Sequence, residues 1–288
     1  MKYEPYKSDD AIRITKMYSL FTCEYNNSYV FSGETHDFWE FLYIIDGSIT
    51  VTADSRIYNL KTGDCIFHKP MELHKFNIAS ENNTKLLIFS YESEGEWTDY
   101  FKNKVFHLTL HQNSIIKELI NFIKEQNTNS QTDNPLYLKY MTQFKENKVY
   151  AQTVVTHIHR LFLDLILNGS QTAQTLSEET VLFGKIVNYL DEHIYEYPSI
   201  EEIAENNFIS LSKLKKLFKK YSGMGVHQYF LTMKMNVATK MLYDGYTVTE
   251  VASTLGFSSQ AYFSKSYKKQ FSISPSKIKM SDHSDALN

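Results

Sequence analysis

One pattern occurs twice in the last hundred or so residues, and it limits what this chain can fold into more than any other feature. The first copy reads "SIEEIAENNFISLSKLKKLFKKYSG" and the second "TVTEVASTLGFSSQAYFSKSYKKQF". Ser199 with Glu202, and Thr247 with Glu250, have capping-box spacing, in which two side chains satisfy each other's backbone N–H groups at a helix start. Each box predicts a short helix, carrying Ile203 and Ala204 in one copy and Val251 and Ala252 in the other. A turn follows, through Asn206-Asn207-Phe208 in the first copy and Gly256 in the second. Glycine adopts positive φ there most readily. A second helix then starts after Ser210 and again after Ser258, 48 residues on.

In the first of these second helices, Leu214, Leu217, Phe218 and Tyr221 make an apolar stripe. Lys213, Lys216 and Lys220 lie opposite, flanked by Lys215 and Lys219. Phe263 and Tyr267 match Leu214 and Phe218 in the second copy. Short helix, tight turn and basic helix outline a helix-turn-helix. Residues 226–245 supply a helix to join the copies. Two such modules on a rigid connector could present basic helices to successive major-groove segments, about 34 Å apart on one face of B-DNA.

A lysine-rich face is often merely solvated, so the charge distribution matters. Between residues 181 and 280 there are 13 Lys against 8 Asp plus Glu. The whole chain carries a net charge of -3, so the remainder is acidic. Charge separated in this way points to an anionic partner for the C-terminal part. At 288 residues, 42% hydrophobic and 22% charged, the chain is long enough for two globular domains with cores. Its two cysteines, Cys23 and Cys65, make neither a disulfide framework nor a zinc spacing, as expected in a reducing compartment. No signal-peptide core opens the chain, and no apolar run reaches the roughly 18 residues of a membrane span. A cytoplasmic location is the expectation.

From 34 to 91 the period is two. The runs "FLYII", "SITVT", "RIYNL", "CIF", "HKFNI" and "KLLIFSY" are separated by turn signals. Asp46-Gly47 predicts a hairpin. Further turns are expected at Ala53-Asp54-Ser55, Lys61-Thr62-Gly63-Asp64 and Lys69-Pro70-Met71-Glu72. Short strands at even spacing predict a sandwich or barrel. From 114 to 169 the period is helical: "SIIKELINFIKEQN", a polar loop "NTNSQTDN", then a long helical stretch after Pro135 that breaks near Asn147. Ala151, Val154, Ile158, Leu161 and Leu165 form a seam that could pair with its copy in a second subunit or pack on its own barrel. Residues 168–174 read as an interdomain linker.

The C-terminal region, carried by "VTEVASTLGFSSQAYFSKSYKKQFSISP", resembles the DNA-binding domain of AraC-type transcription regulators. The first module matches with a departure in its turn, at Asn207-Phe208; the connecting helix has Lys234 where the family commonly has arginine, and the end of the domain has Phe271-Ser272 where it commonly has Phe-Gly. The resemblance implies that base contacts come from early positions of each recognition helix: Ser212, Lys215 and Lys216, then Gln260, Ser264 and Lys265. Glutamine can pair with adenine, and lysine with guanine. Lys219 and Lys268, a turn further on, would meet phosphate.

Residues 36–76, "HDFWEFLYIIDGSITVTADSRIYNLKTGDCIFHKPMELHKF", resemble the cupin-like sensor domain of the same regulators. Cupin enzymes hold a metal with two His and a Glu on one strand and a His on a later one. Here Glu34, His36 and Glu40 differ by even numbers, which predicts one strand face. His74 follows the Pro70 turn as the later ligand does, and Glu34 stands where the first metal histidine would. The cluster admits three readings: a hydrogen-bonded polar group, an effector pocket or a divalent-ion site. Trp39, Phe41, Tyr43, Phe67 and Phe76 suit stacking on sugar rings and suit an ordinary core equally. Sugars are common effectors in the family.

The expectation is therefore a multidomain α+β protein: a cupin-like β-barrel over 1–110, a helical dimerisation and linker region over 111–174, and an all-α double helix-turn-helix domain over 175–288. Its effector site is assigned to Glu34, His36, Trp39, Glu40 and His74. No catalytic residue, cofactor or resident metal is assigned. The partners expected are double-stranded DNA, a small-molecule effector with sugars among the candidates, a second copy of the chain and, for an activator, RNA polymerase. Two alternatives remain: a metal-dependent cupin enzyme fused to a DNA-binding domain, and a regulator governed by a protein partner without a small ligand.

Overall fold

The computed structural model of the protein describes residues 9–278, apart from 28, 30, 32, 82, 127–140, 142, 173–176 and 272. The loop expected at 127–134, the helical start after Pro135, most of the linker's end and Ser272 lie outside the described residues. The N-terminal strands are β1 (Arg13–Tyr25), β2 (Trp39–Asp46), β3 (Ser48–Ala53), β4 (Arg56–Lys61), β5 (Asp64–His68), β6 (His74–Ile78), β7 (Thr84–Glu94) and β8 (Val105–His107). Then follow α1 (Leu110–Gln126), α2 (Lys148–Asn168) and the short β9 (Ser170–Gln171). The C-terminal helices are α3 (Glu178–Glu192), α4 (Ile200–Asn206), α5 (Leu211–Ser222), α6 (Val226–Tyr243), α7 (Val248–Thr254) and α8 (Gln260–Phe271). This is the α+β organisation that the sequence predicts.

The strands make two sheets, a six-stranded one ordered β1-β7-β2-β5-β8-β9 and a three-stranded one ordered β4-β3-β6. They do not close into the expected barrel. Beside β6 the chain runs as coil, tied to it by Phe31 N–H donating to the Phe76 carbonyl, by a Glu34–His74 bridge and by the Tyr29 and Phe31 rings against Phe76. Only one of the predicted turns, at Asp54, joins neighbouring strands, β3 and β4. The Asp46-Gly47 turn carries the chain from one sheet to the other instead of making a hairpin, because β2 pairs with β5 and β7. Gly47 has φ 95°, and a Cβ there would lie 2.5 Å from the Thr84 hydroxyl.

Strand β2 is buried on both faces, so the period-two rule splits it between two cores. Trp39, Phe41 and Tyr43 pack with Phe67, Phe89 and the helices α1 and α2. Leu42 and Ile44 face Val51 and Phe76 between the sheets. The expected dimer seam is thereby corrected: Val154, Ile158, Leu161 and Leu165 belong to the helix–sheet core. Their apolar surface is already covered by Phe162's neighbours on the sheet, and none is left for a second subunit. Helix α2 begins after Asn147, whose side chain accepts from Tyr150 N–H, where the break was expected. The linker's start pairs as β9 with β8.

Both capping boxes form. The first module packs with α3 around Phe183, Leu214 and Phe218, and the second around Val251, Phe263 and Tyr267. Helix α6 is shared. Ser210 caps α5, accepting from Lys213 N–H. In the second module the cap is Ser259, accepting from Tyr262 N–H, one residue later than the Ser258 that spacing predicted. That extra residue explains why Phe263 and Tyr267, and not their predecessors, occupy the core.

Candidate functional site

The two candidate DNA-reading helices present their polar residues outward. Ser212, Lys215, Lys216 and Lys219 on α5 are exposed, as are Gln260, Lys265 and Lys268 on α8, while Ser264 is half-buried. This follows from the stripes: Leu214, Leu217 and Phe218 turn inward on α5, and Phe263 and Tyr267 on α8, leaving the intervening positions to solvent. Some of these groups have local partners. Gln260 Oε1 accepts from Thr249 at 3.1 Å, and Lys219 Nζ donates to the Gly223 carbonyl at 3.1 Å. Lys220 pairs with Glu179 and is engaged structurally. Lys234, at the position where the resemblance implied an arginine, does not face solvent. Its Nζ donates to the carbonyls of Ile194 at 2.6 Å and Leu255 at 2.9 Å, joining α3's end to the second module.

In the N-terminal domain Glu34, His36, Glu40 and His74 converge, with one donor atom of each within 4.8 Å of the others. Glu40 lies on β2 and His74 on β6. Glu34 and His36 come from the coil before β2, so the strand face expected for all three is not what assembles them. The Glu34–His74 bridge does that. Trp39 is corrected as a site residue. It points to the opposite face of β2 and is buried in the helix–sheet core, as are Phe41, Tyr43 and Phe67. A cleft of about 1030 Å³ is lined instead by Tyr18, Phe21, Tyr25, Phe31 and Phe38 among others, together with Glu34, His36 and Glu40.

Ring nitrogens fix the chemistry of the cluster. His36 Nδ1 lies 2.9 Å from the Phe38 carbonyl and His74 Nδ1 3.1 Å from the Glu72 carbonyl. A carbonyl only accepts, so each Nδ1 carries a proton and each Nε2 faces the cluster. His36 stacks on Phe38, and His74 on His68. Burial and the neighbouring His74 lower the pKa of His36. Burial also opposes charge on His74, but Glu34 and Glu40 outweigh it and hold His74 up to about 10. Burial likewise works against the Glu40 carboxylate, and His74 more than compensates, leaving its pKa lowered.

The residues that sequence reasoning missed lie just beyond this cluster. His68 is buried, with Nδ1 2.7 Å from Glu72 Oε2. Lys69 bridges Glu72 at 2.9 Å and Asp54 at 2.6 Å. Burial would raise the Glu72 pKa, yet His68 and Lys69 bring it down to about 2. The spacing in "HKPMELH" held the signal, but the turn around Pro70 has no periodicity to reveal which side chains meet.

Residues 20–139 match the AraC-like ligand binding domain, and residues 203–281 match a helix-turn-helix domain. The chain belongs to the AraC-type regulators. Regulatory protein PocR of Salmonella typhimurium is 29% identical over 92 residues, 32% of this chain and 30% of that one. The Msm operon regulatory protein of Streptococcus mutans is 24% identical over 266 residues, 88% of each chain. This AraC-type chain thus spans under a third of PocR and most of the second relative. ToxT from Vibrio cholerae superposes with TM-score 0.37 at 12% identity, covering 93% of this chain and 96% of that one.

In this AraC-type chain the ligand-binding and helix-turn-helix domains touch. Three residues seven apart on the connecting helix α6 reach across. Tyr229 donates to the Asp54 carbonyl at 3.0 Å, Asn236 to the Met71 carbonyl at 3.0 Å and Tyr243 to Asp37 at 3.2 Å. Thr52 donates to the Tyr221 carbonyl at 2.7 Å. Ile57 and Leu73 join the core of the first module. Lys75, next to His74, is buried against the end of α5, where a Cβ on Gly223 would lie 3.1 Å from its Nζ. Asp37 adjoins His36, and Leu73 and Lys75 flank His74, so the docking surface borders the polar cluster. No described helix is long and apolar enough to cross a membrane.

Proposed function

We propose that the chain is a sequence-specific, DNA-binding transcription regulator whose N-terminal domain senses a small polar molecule, a sugar among the candidates. The observation that carries this reading is the α6 stripe, which connects the residues flanking the polar cluster to the helix between two exposed lysine-bearing helices. Residues 1–110 sense, 111–174 complete the sensor core and support dimerisation, and 175–288 bind DNA. The protein acts in the cytoplasm without catalysing a reaction, and contacts RNA polymerase where it activates.

Dimerisation uses a different surface from the buried seam. Leu163 and Leu167 on α2 and Leu110 at the start of α1 are exposed. They lie at the same end of the helix pair, where Gln112 donates to Asp164. Burying them in a symmetric contact removes apolar surface from water.

The test is binding of the full chain to promoter fragments upstream of neighbouring genes as salt is varied. Neutralising about six phosphates gives a slope of log affinity against log salt of about -5. Candidate sugars should change that affinity. Binding that is undetectable, or independent of salt, would overturn the reading.

A further inference from the structure

We propose that a second cleft, between the β3–β4 turn and α3, binds a phosphorylated polyol of the sugar-phosphate class. The inference rests on the cleft itself; only its consequence for DNA binding rests on the regulatory reading above.

This cleft has a volume of about 760 Å³ and shares no lining residue with the one beside the polar cluster. Its walls come from both domains. Ser55, Arg56, Ile57 and Tyr58 supply one, and α3 with the end of α4 supplies the other. On α3 the lining residues Val181, Gly184, Lys185, Asn188 and Glu192 recur at spacings of three and four, which makes one helix face. Phe183, Ile186 and Val187 turn to the core of the first module instead. The walls meet at Gly184, where a Cβ would lie 2.7 Å from the Ser55 carbonyl oxygen.

The end of the cleft at Gly184 is cationic. Arg56 adjoins Ser55, and Lys185 adjoins Gly184. Both are exposed, and neither pairs with a carboxylate among the described residues. Arg56 Nη1 makes one long contact, 3.4 Å to the Asn103 carbonyl. Tyr58 is 7% exposed, and its hydroxyl is buried without a hydrogen-bond partner. Burial raises the Tyr58 pKa and the Arg56 charge works against that rise, which places the hydroxyl near the guanidinium. A buried polar group left unpaired is unfavourable, and an anion held between Arg56 and Lys185 would accept a hydrogen bond from it. A phosphate monoester carries nearly two negative charges and three acceptor oxygens, which matches two cations and a phenol. Guanidinium binds phosphate through two parallel hydrogen bonds.

Toward Glu192, about 12 Å further along α3, the chemistry changes. Asn188 and Glu192 line this end, and Asn206 Nδ2 donates to the Tyr189 hydroxyl at 3.1 Å. Amide oxygens and a carboxylate accept hydrogen bonds from hydroxyl groups. Glu192 has no ion pair among the described residues and repels a phosphate, so the anionic head takes the Arg56 end and the polyol body the other. A ligand touching both walls binds only the docked arrangement of the domains and favours it by mass action. The wall on the helix-turn-helix side includes Asn207, in the turn that leads to α5, so occupancy is felt where the first recognition helix begins.

Glucose 6-phosphate is the probe, with glucose and inorganic phosphate as comparisons. Each is titrated calorimetrically into the full chain, and thermal stability is followed. The expected result is one glucose 6-phosphate per chain with a raised Tm. Glucose and inorganic phosphate, each offering part of the groups, should bind at least about tenfold more weakly. Arg56→Gln and Lys185→Gln should each weaken glucose 6-phosphate binding at least about tenfold. Lys117→Gln, an exposed lysine on α1, should not. Arg56 and Lys185 are exposed, so both variants should keep the ligand-free Tm of the wild type. Tyr58→Phe separates binding from folding: it should weaken binding without lowering the ligand-free Tm, because the hydroxyl it removes is unpaired. No binding of glucose 6-phosphate, equal binding of inorganic phosphate, or binding unchanged in Arg56→Gln and Lys185→Gln overturns the site. Loss of binding in Glu34→Gln but not in those two would put the sugar phosphate in the other cleft, and also overturns it. DNA affinity is read separately. Salt-dependent DNA binding without glucose 6-phosphate binding would overturn this site and leave the regulator reading standing, whereas glucose 6-phosphate binding without DNA binding would do the reverse.

Discussion

Asn236 on the connecting helix donates to the Met71 carbonyl at 3.0 Å, and Met71 N–H donates to the His36 carbonyl at 2.7 Å. A single residue, Met71, thus stands between the helix that carries both DNA-binding modules and a member of the polar cluster. Its φ of 63° is unusual for a residue with a side chain. That conformation aims its N–H and carbonyl in the two directions the relay needs. A change of the coil around His36 therefore has a short covalent and hydrogen-bonded route to α6.

Asn236→Ala should break this relay without unfolding the protein. One hydrogen bond of this kind contributes about 0.5–1.5 kcal/mol, so the loss in stability should be of that size. The larger effect should be on coupling. Any ligand that changes DNA affinity in the wild type should change it less in the variant, while ligand affinity falls little. Parallel titrations of ligand and DNA check this; unaltered coupling would show that the route runs elsewhere.

The two recognition helices should read different parts of one site. Lys216→Ala and Gln260→Ala should each lower specific affinity by about 1–3 kcal/mol and relax base preference at different positions. Lys268→Ala should weaken all sequences alike and make the salt slope shallower by about 1. Selection of preferred sequences by each variant separates these outcomes. A uniform loss in all three would mean that none of these side chains reads a base.

The elements legible in the sequence were those set by local rules. Capping boxes, stripe spacing and the Asn147 break involve residues within a few positions, where backbone hydrogen bonding and burial act directly. The turn at Asp46-Gly47 was legible as a turn, but the residues there do not encode which strand the next one pairs with, and so a sheet crossover reads like a hairpin. Trp39 looked like a binding residue because β2 is apolar on both faces, and alternation cannot then say which face is the pocket. Leu161 and its neighbours made a good seam because a helix packing on a sheet and one packing on a partner need the same stripe. Tyr229, Asn236 and Tyr243 reach residues 175, 165 and 206 positions away. Contacts at that range leave no periodic trace.

Phe208 offers a gain in stability. It occupies the turn position that Gly256 takes in the second module, with φ 55° against 69°, and its side chain is 89% exposed. A left-handed residue with a Cβ is unfavourable by about 1–2 kcal/mol, and glycine gives back about 0.5–1 kcal/mol through its unfolded-state entropy. Phe208→Gly should therefore stabilise the protein by roughly 0.5–1 kcal/mol, and Phe208→Ala should not. Denaturant midpoints of the two variants check this. A destabilised glycine variant would mean that the exposed ring makes contacts in the folded protein worth more than the strain.

Lys234 predicts how stability depends on pH. Its ammonium lies within 2.6 and 2.9 Å of two backbone carbonyls and 4.4 Å from the centre of the Tyr197 ring. Burial pushes its pKa down to about 8, against about 10.4 for a free lysine. Between those values the unfolded chain binds a proton that the folded chain does not, so Lys234 makes stability rise as pH rises through that window. Below pH 8 both states hold the proton and the contribution is flat. Other lysines and tyrosines titrate nearby, so the quantity to measure is the difference between wild type and Lys234→Met. The variant leaves two buried carbonyls unpaired, each unfavourable by about 1–3 kcal/mol, and should be less stable at every pH. The gap should hold steady from pH 6 to 8 and widen from pH 8 to 10. A gap that stayed constant to pH 10 would mean that the two carbonyls hold the ammonium charged, with its pKa near the ordinary value.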